Sequence, residues 1–259
     1  MNHQKDEPRQ PLEDNLNCLD LISGLRKQDR GGQLVDNKKK TSYGIDSPLG
    51  LISSFVFAPV YLYATVKGKH AFWDQALTSL PDSAFYGPSL DMGCGRGLVL
   101  VKTATRKRQL LGGGPATVQA RNSLSYGIDI FDSGDQTGNS PETLYANIKA
   151  MGLLDDVVAH AASFTDPLPF AENHFSLVTA SLSLHNVPSS DRKAAIREAC
   201  RVCKPGGAII ILDLLGYVAE YEAEMKKQGW TRVERRFAGL GVVFGSWPTQ
   251  VLHAIKPTI

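Results

Sequence analysis

The stretch that decides the fold reads Leu90, Asp91, Met92, Gly93, Cys94, Gly95, Arg96, Gly97. A short apolar run from Ser89 to Met92 ends at the loop, three glycines follow at alternate positions, and a helix is expected directly after them. The glycines let the backbone turn sharply and let a ligand approach with no Cβ in the way. The spacing is not Gly-x-Gly-x-x-Gly, and no Gly-Lys-Ser/Thr follows, so neither the dinucleotide fingerprint nor a P-loop is matched.

Outward from this loop, short apolar runs alternate with helix-like stretches, the pattern of a parallel α/β sheet. Strands are predicted at Ser89 to Met92, Ser125 to Ile130, Val157 to Ala161, Phe175 to Ser181, Ala208 to Asp213, Thr231 to Phe237 and Val251 to Ile255. Ser140, Pro141 and Glu142 mark a helix start, with a capping hydroxyl, a proline at the first helical position and an acid in the first turn. That helix should run to about Met151. Residues 102 to 124, with Arg106, Lys107, Arg108 and the glycines at 112 to 114, are read as an insertion loop whose basic cluster is solvated.

The N-terminal part has a different composition. Residues 1 to 47 are polar and read as a mostly disordered leader. From Pro48 to Val66 there is no charged residue, and lysines flank the segment on both sides. It falls at the lower length limit for a membrane span and contains Gly50 and Pro59, so an N-terminal helical cap or lid over 48–87 is expected; membrane association through 48–66 is the alternative. Residues 88–259 then form the main domain. Its aromatic neighbours upstream (Phe55, Phe57, Tyr61, Tyr63, Phe72, Trp73) suit either a core or the wall of an acceptor pocket.

Composition bounds the function. A chain of 259 residues with 42% hydrophobic residues can bury one sizeable core. The formal net charge is only +2, and no basic stripe interleaved with aromatics is present, so a nucleic-acid partner is not expected. Four cysteines (Cys18, Cys94, Cys200, Cys203) are too few for a disulfide scaffold. With no signal peptide evident, a cytoplasmic setting is expected. Cys200 and Cys203 form a Cys-x-x-Cys read as lying on a helix, with no second pair of ligands to hold a metal.

An acid ahead of the glycines suits a cofactor that has no phosphate and carries an ammonium and a sulfonium, and S-adenosylmethionine (SAM) is such a ligand. The next predicted strand ends Tyr126, Gly127, Ile128, Asp129, placing a carboxylate where it can accept hydrogen bonds from ribose hydroxyls. At this point the sequence resembles the class I SAM-dependent methyltransferases, in particular the small-molecule type. The likeness covers about residues 88 to 256. It includes a later Arg201, Val202, Cys203, Lys204, Pro205, Gly206, Gly207, and the Leu168, Pro169, Phe170 turn ahead of the fourth strand. The stretch Asp135, Gln136, Thr137, Gly138, Asn139, Ser140 looks like one seen in a subgroup of these proteins.

The resemblance implies a Rossmann-like three-layer α/β/α sandwich, with a seven-stranded, mostly parallel sheet whose last strand is antiparallel. It implies that Gly93, Cys94 and Gly95 line the methionine end of SAM, that Asp129 holds the ribose, that Ile130 packs on the adenine and that Ser163 and Phe164 flank it; Asp91 and Gly97 are further cofactor-binding candidates, with anchoring of the loop the alternative for Asp91. The usual acid at the position of Ser163 is missing. Ser181 stands at the carboxyl edge of the fourth strand, and His185, after it, is the candidate on the acceptor side, as a base for an acceptor that must lose a proton. The remaining histidines, His70 among them, receive no role.

The function expected is methyl transfer to a small, partly apolar metabolite, with O-methylation favoured. A SAM-binding protein or partner subunit that does not methylate is the alternative on the same fold. A nicotinamide-dependent oxidoreductase is disfavoured by the glycine spacing.

Overall fold

The computed structural model describes residues 58–112, 122–132, 134, 136–245 and 247–258. The leader, residues 48–57 of the apolar segment, residues 113–121 of the expected insertion loop and Asp135 lie outside the described residues.

One sheet organises the domain. Its strands are β1 (Ser89–Met92), β2 (Ser125–Asp129), β3 (Val157–Ala161), β4 (Phe175–Ser181), β5 (Cys203–Leu214), β6 (Arg232–Phe237), the two-residue β7 (Val243–Phe244) and β8 (Trp247–Ile255). The order is β3-β2-β1-β4-β5-β8-β6, with β7 paired to β8 alone. Strands β1 to β5 are parallel, and β8 runs antiparallel between β5 and β6. All seven strands expected from the sequence are present. The eighth, β7, is too short to leave a periodic signal.

The strands of a parallel sheet covered on both faces read as apolar runs, and the 175–180 stretch of β4 and the 208–214 stretch of β5 are buried. Alternate residues of β5 serve opposite faces. Ile209 and Ile211 enter a cluster with Ala195, Ile196, Val218 and Tyr221 from helices α5 (Ser189–Val202) and α6 (Val218–Lys227). Ala208, Ile210 and Leu212 enter a second cluster with Trp73 and Leu77 of α2 (Lys69–Thr78) and Val99 of α3 (Leu98–Leu111). Two apolar layers on one sheet give the three-layer sandwich.

Three local expectations are borne out or corrected here. The predicted start of α4 (Pro141–Ala150) is correct, and the Ser140 hydroxyl accepts from the Thr143 N–H at 3.2 Å. The expected loop from 102 is instead the body of α3, which ends where Gly112, in the left-handed region, returns its N–H to Arg108 O. The basic cluster is not solvated as a whole. Lys107 is buried, its ammonium donating to Ser89 Oγ at 2.8 Å and to Ser123 O at 3.0 Å, while Arg106 pairs with Asp82 at 3.0 Å. Third, Cys203 is not on a helix: α5 ends at Val202, and Cys203 opens β5.

The two later motifs of the sequence meet in space. Arg201, from the first, donates to Phe170 O and Leu168 O of the second at 2.8 and 3.0 Å, and Glu198 bonds both Arg201 and the Leu168 N–H. Lys256 on the segment after β8 closes the end of α5, donating to Cys200 O and Cys203 O at 2.8 and 2.7 Å.

Residues 58–87 are built into the domain. Helix α1 (Ala58–Tyr63) passes into a π-helical turn, Ala64–Gly68, in which the Lys69 N–H reaches back five residues to Ala64 O, and α2 follows. At Gly68 a Cβ would stand 1.7 Å from Gly241 O, so the turn meets the loop before β7 backbone to backbone. Trp73 is fully buried and donates to Ser181 Oγ at 3.0 Å, fixing α2 to the carboxyl end of β4. No helix among the described residues is long and apolar enough to cross a membrane.

Candidate active site

The order of the sheet reverses between β1 and β4, one leading to β2 and β3 and the other to β5. In open α/β sheets ligands bind outside the carboxyl ends of the strands at such a point. A cavity of about 270 Å³ lies there. Its sheet-side wall includes Asp91, Gly93, Cys94, Gly95, Asp129, Ile130, Ser163, Phe164, Ser181 and Ser183. Thr65, Lys69 and His70 line it from the π-helical turn and α2, and Asn186, Val187 and Phe244 also line it.

The glycine loop and the acid after β2 form one unit. Gly95 N–H donates to Asp129 Oδ2 at 2.8 Å, while Oδ1 accepts from Phe131 N–H at 2.6 Å and from Asn139 Nδ2 at 3.1 Å. A carboxylate offers about four acceptor positions, so one on Oδ2 remains for a ligand hydroxyl. Asn139 Oδ1 is buried with no hydrogen-bond partner, and Asn139 lines the cavity. Buried polar atoms are costly unless satisfied, so Asn139 Oδ1 marks where a ligand donor belongs.

Gly95, at φ +50°, has a close neighbour in Gln136, whose Oε1 would stand 2.8 Å from an added Cβ. Gly97 has a different duty. It does not line the cavity, and its Cβ would meet Leu144 Cδ1 at 2.5 Å, so it lets α3 start close against α4.

Asp91 is buried, accepts from Thr179 Oγ1 at 2.7 Å and lies on the cavity wall. Burial raises its carboxyl to about 7, Asp129 adding to the rise and the Thr179 hydroxyl opposing it. Burial also holds the Cys94 thiol well above its ordinary value, with the charges of Asp129 and Asp91 acting the same way, and Cys94 lines the cavity. Ser163 Oγ is 2.7 Å from Thr165 Oγ1, and Ile130 is exposed at the rim.

His185 is placed differently from the other candidates. It does not line the cavity, although Asn186 and Val187 after it do. Its Nδ1 is 2.6 Å from Asp213 Oδ1, and its N–H donates to Asp213 Oδ2 at 3.1 Å. The Tyr221 hydroxyl also donates to that carboxylate, at 2.9 Å. The imidazole packs on Phe244 at 5.2 Å between ring centres, and Phe244 does line the cavity.

Residues 90–211 match the family model described as a methyltransferase domain. Over those residues the chain resembles a SAM-dependent methyltransferase domain. The ubiquinone/menaquinone biosynthesis C-methyltransferase UbiE of Shewanella baltica is 28% identical to this chain over 146 residues, which are 56% of this chain and 50% of that protein. The chain thus spans about half the length of the curated relatives it matches. Geranyl diphosphate C-methyltransferase from Streptomyces coelicolor A3(2) shares the fold with a TM-score of 0.54 at 14% identity, covering 91% of this chain and 97% of that one. The [4+2]-cyclase SpnF shares it with a TM-score of 0.54 at 16% identity, covering 76% and 83%. The favoured O-methylation gains no support, since the UbiE relatives are named C-methyltransferases.

The residues of the cavity fit SAM, the cofactor of this family. Asp91 offers a buried acid for an ammonium, Gly93 and Gly95 line the cavity with backbone packed closely against Ser183 and Gln136, and Asp129 with Asn139 offers acceptors for hydroxyls. Sequence reasoning missed Thr65, Lys69, His70 and Phe244, which reach the cavity only through tertiary packing. Gln136 and Asn139 did stand in a stretch singled out from the sequence, and Asp213 was hidden at the end of a strand.

Proposed function

We propose that this chain methylates a small, partly apolar metabolite with SAM as donor. The observation that carries this reading is the joined Gly95–Asp129–Asn139 group beside a buried Asp91, a set of acceptors without a phosphate cradle. In this reading Asp91 takes the cofactor's ammonium, Asp129 Oδ2 takes one ribose hydroxyl and Asn139 Oδ1 the other. Ile130 and Phe164 pack on the adenine. Gly97 supports the loop from behind.

When bound, SAM supplies a methyl carbon already activated by its sulfonium, so the protein's work is positioning and the exclusion of water. Trp73 and the π-helical turn hold the N-terminal cap over the cavity for that purpose. For an acceptor that must lose a proton, we assign the base role to His185. In the tautomer whose Nδ1–H donates to the Asp213 carboxylate, Nε2 is the atom left to take a proton, and the imidazole packs on Phe244 of the cavity wall.

The test is isothermal titration of the full chain with SAM, followed by incubation with a pool of small metabolites and assay for S-adenosylhomocysteine. Saturable binding with turnover supports the reading. Binding without turnover against any acceptor class would favour the non-methylating alternative, and absence of binding would remove SAM from the site.

A further inference from the structure

The N-terminal cap meets the domain on one side of the sheet. Asp74 of α2 accepts from Lys102 of α3 at 2.5 Å, and Trp73 donates to Ser181 Oγ at the carboxyl end of β4 at 3.0 Å. In the strand order β3-β2-β1-β4-β5 these contacts place the cap over the glycine loop that joins β1 to α3, away from β3. Thr65, in the π-helical turn of the cap, lines the cavity and is 7% exposed, and its Oγ1 is buried with no hydrogen-bond partner among the described residues. A buried hydroxyl left unsatisfied costs free energy, so it marks a place where a ligand acceptor belongs.

The glycine loop cannot supply what this hydroxyl offers. The N–H groups of Gly93 and Cys94 both donate to Ile128 O, that of Gly95 to Asp129 Oδ2 and that of Gly97 to Cys94 O. Those N–H groups are engaged within the protein, and the side chain beside them on the cavity wall, Asp91, is an acid. Such a wall receives a cation and repels an anion. The amino-acid end of SAM carries both charges, with its ammonium and its carboxylate on one carbon. When the ammonium faces Asp91, the carboxylate is turned away from that acid and must find its donors elsewhere on the wall.

We propose that the Thr65 hydroxyl donates to the carboxylate of the cofactor's amino-acid end, so that the N-terminal cap is a wall of the cofactor site and not only a lid over the acceptor. This rests on the reading of the site as one for SAM. The bond is charge-assisted and forms only with the cofactor in place. It therefore adds to affinity, whereas in the free protein the same hydroxyl is a buried group without a partner.

The experiment is isothermal titration of the full chain with S-adenosylhomocysteine and with S-adenosyl-3-thiopropylamine, which keeps the base, ribose, sulfur and amino group and lacks only the carboxylate. Thr65→Val exchanges the hydroxyl for a methyl of the same shape. It should weaken S-adenosylhomocysteine by about fivefold or more and leave the affinity for the amine analogue as in the wild type, while Thr65→Ser keeps both affinities. The ligand-free Thr65→Val protein should melt no lower than the wild type, because it loses no hydrogen bond. A smaller loss for S-adenosylhomocysteine, an equal loss for the analogue, or a lower melting temperature of the ligand-free variant would each overturn the assignment. Absence of S-adenosylhomocysteine binding by the wild type would instead strike the reading of the site as one for SAM.

Discussion

Gly95 and Asp129, 34 residues apart in the chain, are joined by a 2.8 Å hydrogen bond from the glycine's N–H to the acid's Oδ2. Through it, the loop after β1 and the end of β2 present themselves to a ligand as one surface. Asp129→Ala should weaken SAM binding by about 1 to 3 kcal/mol, the usual cost of losing a charged hydrogen-bond partner. Titration calorimetry reads it, and unchanged affinity would remove Asp129 from the ribose site. The same variant also frees Phe131 and Asn139, so a lower melting temperature should accompany the lost affinity.

The glycines of the loop should separate by phenotype. Gly95→Val places a branched side chain against Gln136 inside the cavity at a φ of +50°, so it should lower the melting temperature and also abolish SAM binding, leaving no rise in melting temperature on adding SAM. Gly97→Ala forces a Cβ into Leu144 at a φ of +90° and should lower thermal stability, while the folded fraction still binds SAM. Melting curves with and without SAM distinguish the two. The reverse pattern would mean that Gly97, not Gly95, faces the cofactor.

Asp91 should couple binding to protons. Its folded value is raised from 3.8 to about 7, so its contribution to stability is present below 3.8 and is withdrawn as pH rises through about 7. A bound ammonium favours the ionised carboxylate. SAM affinity should therefore rise as pH passes through about 7, with release of a proton below it. Calorimetry in buffers of different ionisation enthalpy would detect that proton, and Asp91→Asn should abolish both effects. A wild type that binds without proton release at pH 6 would place the ammonium elsewhere.

His185 and Asp213 should act as a unit on acceptors that lose a proton. His185→Ala is expected to cut turnover by about 100-fold or more with SAM affinity retained, and Asp213→Asn to cut it in the same direction. The double variant should be little worse than the worse single one. Near-normal turnover by His185→Ala would leave the histidine a purely structural partner of Asp213.

Trp73 tests the cap as part of the fold. It is fully buried in the cluster with Phe85, Val99 and Leu177 and bonded to Ser181. Trp73→Ala should cost about 3 to 5 kcal/mol of stability. A change below about 1 kcal/mol in denaturant melts would show that residues 58–87 add little to the core.

The sequence by itself determined the strands, the glycine loop and the Ser140 cap, because these are written in local chemistry. A buried strand is an apolar run, a sharp turn beside a ligand is glycine, and a helix start is a hydroxyl before a proline. It also determined that the acid of Asp129 ends β2 at the carboxyl edge of the sheet. It misled on α3, where the basic cluster masked a helix whose end is signalled by Gly112.

Only the tertiary structure decided what surrounds the cavity. Nothing local to Thr65 or Lys69 shows that a π-helical turn, held by Gly68 against Gly241 and by Trp73 against Ser181, carries them over the ends of β1 and β2. Nothing near His185 announces Asp213, 28 residues on, which the side-by-side pairing of β4 and β5 brings within 2.6 Å. Gly97, identical in the sequence to its neighbours in the loop, was assigned to the helix contact by the position of Leu144. Local propensity depends on the residues within a few positions, whereas the walls of a site depend on contacts between elements whose meeting is fixed by the packing of the whole sheet.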